Sequence, residues 1–240
     1  MPAAAPRFSA ETLRFLRALK RNNRREWFNA HRDDYERHVR EPMTAIVERL
    51  AADFRSFAPE LVASPKISMY RIYRDTRFSE NKAPYKTHVA AVFPTRGFAK
   101  HEGAGLYFHV STDDVWIGGG MYAPQPPQLQ AVREHIAENV RQLRAIVESP
   151  AFRRAITLEG EKLSRVPRGF PKDHEAAEYL KFRHFIAGAE FPAALAASPK
   201  FYTTLTATFR AVLPLARFLN APLAAAPAAI TTTMRVRERA

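Results

Sequence analysis

From Ile67 to His88 the chain reads Ile-Ser-Met-Tyr-Arg71-Ile-Tyr-Arg74-Asp75-Thr-Arg77-Phe-Ser-Glu-Asn-Lys82-Ala-Pro-Tyr85-Lys86-Thr-His88. Residues 66–88 hold six cations (Lys66, Arg71, Arg74, Arg77, Lys82, Lys86) against two acids, Asp75 and Glu80, with aromatic residues between them. Guanidinium groups present planar forks of donors that fit phosphate or carboxylate oxygens, and lysines add point charge. Several of each on one loop could hold an anion, with Tyr85 and, further on, Tyr107 stacking on a base or sugar. In a regular strand Arg71 and Arg74 point to opposite faces, so they share a site only across a bulge or a strand end. The plainer alternative has Arg71 paired with an internal carboxylate and the loop cations in water.

Two more stretches could bind anions. Gly118-Gly119-Gly120 ends a strand-like run shortly before a helix, where exposed N–H groups can form an anion nest. The spacing fits neither GxGxxG nor a Walker A loop. A bulge, or close packing against another backbone, explains the glycines equally well. Arg165-Val-Pro-Arg168-Gly-Phe-Pro-Lys172-Asp173-His174-Glu175 reads either as a functional loop with Arg168 and Lys172 as ligands, or as an ordinary cap with Asp173 on the following helix.

Metal chemistry is not expected. The eight histidines show no HxxxH, HExxH or HxH spacing, and the chain has no cysteine. His31, on a stripe with Trp27 and Tyr35, reads as a packed histidine. A GxSxG nucleophile signature is absent. Catalysis, if any, would fall to His109, His88, His174 or Asp75 as acid or base. No cofactor is implied.

The elements that must position these residues follow from periodicity. Ser9 caps a first helix bearing Leu13, Leu16 and Leu19, and Asn23 with Glu26 imitates a capping box for the second. Pro42 starts a third helix that buries Met43, Ile46, Val47, Leu50 and Phe54. The period then changes to 2 and predicts strands near 66–74, 87–94, 105–112 and 114–122, with a fifth from Phe182 to Ala187. Short links make the sheet an antiparallel meander. Leu106, Phe108 and Val110 face the helices, leaving Tyr107 and His109 on the opposite face. Leu129, Val132, Ile136, Val140, Leu143 and Val147 predict one long amphipathic helix, and Asp173 a cap for another through Leu180. Ser198-Pro199 opens a last helix that Pro214 should kink. The expected layout is a disordered lead (1–6), one α+β domain (7–220) with four or five antiparallel strands flanked by helices, and a disordered Ala/Arg-rich tail (221–240).

Length and composition bound the rest. At 240 residues and 46% hydrophobic content the chain can bury one substantial core. No apolar run of about 18 residues exists for a membrane helix, and the first residues lack the apolar core of a secretory signal. With no cysteine, a cytoplasmic setting is the default. The net charge of +13 favours nucleic acid, phosphorylated small molecules or acidic surfaces, although an arginine-rich composition alone also accounts for it.

The stretch Arg71–Thr87 resembles the signature of the DUF2461 family, found mainly in bacteria and also in fungi. Asn23-Arg-Arg-Glu-Trp27-Phe, Tyr107-Phe-His-Val, Gly118-Gly-Gly-Met and Pro167-Arg-Gly-Phe-Pro-Lys-Asp-His174 resemble other blocks in the same order, over about residues 8–220. Asn81 and Ala83 depart mildly from the usual pattern. The resemblance implies a single-domain protein and carries no catalytic role over. The leading expectation is a site for a phosphate-bearing ligand, nucleotide or nucleic acid, held by Arg74, Arg77, Lys82 and Lys86 with Arg71 as ligand or brace. An enzyme using His109 or Asp75 on that ligand, and a non-catalytic domain that docks a protein or polyanion, are the alternatives. The oligomeric state is left open.

Overall fold

The computed structural model describes residues 5–224. Helix α1 (Ala10–Arg21) starts at Ser9, whose hydroxyl accepts from the Thr12 amide while Thr12 reciprocates. Helix α2 (Arg25–Ala30) follows, but Asn23 does not cap it. Its side-chain amide instead pairs with both backbone groups of Tyr85, at 2.9 and 3.0 Å, in the manner of a strand partner. Helix α3 (Arg32–Tyr35), a π-helical turn (Glu36–Arg40) and α4 (Glu41–Phe57) then run on without a gap. Pro42 sits in the first turn of α4 and has no N–H for the preceding turn. The His38 carbonyl accepts instead from the buried Thr12 hydroxyl at 2.6 Å, which ties α1 to this rod.

Residues 66–74 depart from the expected strand. Ser64 caps a single helical turn, α5 (Pro65–Ser68), because the Ser-Pro pair sets a helix start more strongly than the alternation sets a strand. Residues 69–74 then lie antiparallel beside 84–91 through isolated pairs, Met69 with Ala91 and Tyr73 with Tyr85. Backbone bonds Tyr70 N–H to Ala90 O (3.0 Å), Lys86 N–H to Ile72 O (2.7 Å) and Arg74 N–H to Pro84 O (2.9 Å) hold them there.

Strands β1 (Val89–Phe93), β2 (Gly105–Val110) and β3 (Asp114–Met121) form the expected antiparallel meander. Helices α6 (Pro126–Glu138) and α7 (Val140–Val147) replace the single long helix. The Asn139 side chain bonds the His135 carbonyl at 3.0 Å and competes with the backbone at that point. After α8 (Pro150–Ala155) comes a short strand not foreseen from the sequence, β4 (Thr157–Glu159). Helix α9 spans only Ala177–Leu180, and its entry is fixed by His174 Nδ1 accepting from the Ala176 amide, while Asp173 stays exposed. The fifth expected strand is shifted along the chain to β5 (Phe185–Pro192). Helix α10 (Phe201–Ala224) runs through Pro214 and takes in the first residues of the expected tail; residues 225–240 lie outside the described chain, as do 1–4 of the lead.

The architecture is α+β: an open antiparallel sheet in the order β1-β2-β3-β5-β4. Helix α10 packs across β2, β3 and β5. Ala91, Phe93, Leu106, Phe108, Val110, Val115 and Ile117 alternate onto that face, and all are 0% exposed. The other face carries Ala90, Val92, Tyr107, His109 and Trp116. All three glycines of Gly118–Gly120 are ladder residues, paired with β2 on one side and β5 on the other, and form no nest. Gly118 faces Gly188, and a Cβ on either would strike the Trp116 ring, which lies across them.

Among the described residues no helix is long and apolar enough to cross a membrane. The loop between β1 and β2 is held by α10. Buried Asn220 accepts from the Ala104 amide (2.7 Å) and donates to the Ala104 carbonyl and the Thr95 hydroxyl, each at 2.9 Å. Asn220→Ala leaves the buried Ala104 amide without a partner and its carbonyl with the Thr95 hydroxyl alone. It should lower unfolding free energy in urea by about 2–3 kcal/mol and speed hydrogen exchange at the Ala104 amide.

Candidate functional site

The face of the sheet away from α10 carries a cleft of about 690 Å³. Its floor is Ala90, Val92, Tyr107 and Trp116; its wall is Tyr70, Lys86, Lys100 and His101. Tyr70 is the hub of that wall. The Lys86 ammonium lies 5.0 Å and the Lys100 ammonium 4.3 Å from its ring centroid. The His101 ring stacks on it at 6.0 Å, and the Tyr107 ring meets it edge-on at 6.3 Å. Each cation gains from the π-face, but only by about 0.5–2 kcal/mol.

Neither ammonium has a carboxylate within ion-pair reach among the described residues. Glu102 is the acid of the lining, and its carboxylate accepts from the Ala99 amide at 3.2 Å. Burial pushes the Lys86 pKa down, with a further push from Arg71; burial pushes Lys100 down too, with a further push from Lys86. Among the described residues no counter-charge offsets these half-buried ammonium groups, which leaves uncompensated positive charge on the cleft wall.

Behind the floor runs a hydrogen-bonded chain. The Tyr107 hydroxyl is 3.3 Å from His109 Nδ1, and His109 Nε2 is 3.2 Å from Asp114 Oδ2. Asp114 is fixed in turn by a short bond from the Ser111 hydroxyl, whose oxygen accepts the amides of Asp113 and Asp114 at 3.0 Å. The tight turn between β2 and β3 therefore positions the carboxylate. His88 approaches with its ring 5.7 Å from that of His109. Burial lowers its pKa, as do His109 and Lys86, so it stays neutral at neutral pH. Burial raises the Tyr107 pKa, so the phenol keeps its proton.

Of the residues expected to bind a ligand, the structure brings Lys86 and Tyr107 together here, with Arg71 exposed close by, and of the acid/base candidates it adds His109 and His88. The others stand elsewhere. Arg74 donates to the Ala83 carbonyl (3.1 Å) and the Ser79 hydroxyl (3.3 Å), closing its own loop. Arg77 forks onto Asp75 at 3.0 and 2.7 Å, and that bond holds the Asp75 carboxyl down at about 2. Lys82 donates to the Thr76 carbonyl at 3.0 Å. Tyr85 is buried and stacks on Phe28 at 4.2 Å. Arg168 and Lys172 are exposed on the loop after β4 and do not line the cleft, and His174 serves the start of α9. Among the described residues no group of three or more His, Asp or Glu could hold a metal.

Tyr70, Lys100, His101 and Trp116 were not singled out from the sequence. Trp116 could have been: it pairs with His109 in register and so shares its face. Lys100 gave no local signal, since long-range contacts, the Asn220 clamp and the Arg96 amide on the Glu60 carbonyl among them, place its loop.

The fold is thus an antiparallel sheet buried by helices on one face, with a cationic aromatic cleft on the other. Residues 11–218 match the model of the family described as "Conserved hypothetical protein (DUF2461)", and the chain belongs to that family. No curated protein and no solved structure matches it.

The lysine pKa values carry a stability sign. A lysine whose folded-state pKa lies below its unfolded value destabilises the fold while charged, and that cost fades as pH rises through the window between the two values. Lys86→Met/Lys100→Met should therefore raise Tm at neutral pH by about 1–3 °C. The difference from the parent should shrink as pH approaches the ordinary lysine pKa of about 10.4.

Proposed function

We propose that this chain binds a small phosphate-bearing ligand with a flat body, a nucleotide being the best fit, in the cleft on the open face of the sheet. One observation supports the reading: Lys86 and Lys100 converge on Tyr70, half-buried and without a carboxylate in reach among the described residues. A fold retains such a pair at a cost in stability, and an anion between them removes that cost. Tyr70 and Trp116 offer aromatic surface for the rest of the ligand. Arg71 stands at the rim as further positive charge.

The cleft volume of about 690 Å³ lies in the range of small-molecule sites, about 300–1,000 Å³, and favours one compact ligand over a polymer. The net charge of +13 would still draw any polyanion to the surface through long-range attraction, and such binding fades with salt. A cytoplasmic setting, where phosphorylated small molecules abound, goes with this reading.

Thermal stability against AMP, ATP, ribose 5-phosphate and short DNA and RNA, at low and moderate salt, tests the proposal. A mononucleotide at about 100 times its Kd adds roughly 2.7 kcal/mol, a shift of several degrees. The shift should persist in moderate salt, vanish in Lys86→Met/Lys100→Met and survive Arg74→Ala/Lys82→Ala. Shifts from polymers alone that fade with salt, or a mononucleotide shift lost only in the Arg74/Lys82 variant, would place the anion elsewhere.

A further inference from the structure

The chain Ser111–Asp114–His109–Tyr107 is not needed to hold an anion, yet it ends at the cleft beside the two lysines. Its polarity is fixed by chemistry. An ionised carboxylate only accepts, so the proton of neutral His109 lies on Nε2, facing Asp114 at 3.2 Å. His109 Nδ1 is then a bare acceptor, and the Tyr107 hydroxyl, 3.3 Å away, points its proton inward. The Tyr107 oxygen is left with its lone pairs toward the cleft, and no other group among the described residues donates to it.

We infer that Tyr107 accepts a hydrogen bond from a ligand hydroxyl, so that the cleft selects phosphates that carry a free hydroxyl, such as a ribose diol, over their deoxy analogues. This rests on the anion reading above and narrows its ligand class. Lys86, Lys100 and Tyr107 surround one ring, that of Tyr70, so an anion and a hydroxyl on one small molecule can be met together. Asp114 and His109 act as positioning residues; Tyr107 makes the contact.

Calorimetry with AMP and 2′,3′-dideoxyadenosine monophosphate tests this, since the two share phosphate and base. AMP should bind about five- to ten-fold more tightly, the worth of one hydrogen bond. Tyr107→Phe should bring the ratio to about one while both nucleotides still bind through the lysines. Nitrogen-15 spectra of the unliganded protein give a second, ligand-free readout: neutral His109 should carry its proton on Nε2, and Asp114→Asn should weaken that tautomer. A proton on Nδ1 overturns this inference whether or not a nucleotide binds. Equal affinity for the two nucleotides, with lysine-dependent binding intact, overturns it alone. Failure of both to bind overturns the anion reading and this inference together.

Discussion

Lys86 and Lys100 crowd one tyrosine ring with no carboxylate among the described residues to neutralise them, and the rest of the fold must hold them there. Burial lowers both pKa values, so each ammonium sits where its charge is disfavoured. Two separate devices impose this. The backbone of Lys86 is bonded to Ile72, which aligns residues 69–74 against β1 and sets Tyr70 over the open face. The loop that carries Lys100 is clamped by Asn220 of α10, which satisfies both backbone groups of Ala104. The helix that buries one face of the sheet thus also shapes the wall on the other.

The open face is kept shallow by what it lacks. Gly118 and Gly188 stand opposite one another so that the Trp116 indole can lie flat on the backbone. A side chain at either position would displace the ring and raise the floor. Tyr107 packs beside Trp116 at 5.8 Å, and its hydroxyl is fixed from behind by His109. A rigid aromatic floor and a cationic wall are assembled from residues far apart in the chain.

Much of the fold was legible in the sequence because alternation is local. The period of two in β1, β2 and β3 put Leu106, Phe108 and Val110 in the core and Tyr107 and His109 on the far face, and the buried set has that pattern. The Ser9 cap was equally plain. Errors arose where a side chain competes with the backbone. Ser64 with Pro65 winds a turn inside an alternating run, Asn139 splits a continuous helical stripe, and Asn23 serves Tyr85 instead of its own helix. The site was half legible for a related reason. A run of cations in sequence looks like a binding loop, yet Arg74, Arg77 and Lys82 are satisfied within a few residues by Ala83, Asp75 and Thr76. Lys86, which has no such partner among the described residues, meets Lys100 over the Tyr70 ring only through the sheet.

The most direct measurement is a crystal structure of the protein grown with AMP at saturating concentration. The account predicts phosphate density in the cleft with oxygens about 3 Å from both the Lys86 and the Lys100 ammonium groups, and the base against Tyr70 or Trp116. Phosphate density on the Arg74–Lys82 loop with an empty cleft would contradict it, as would no bound nucleotide at all.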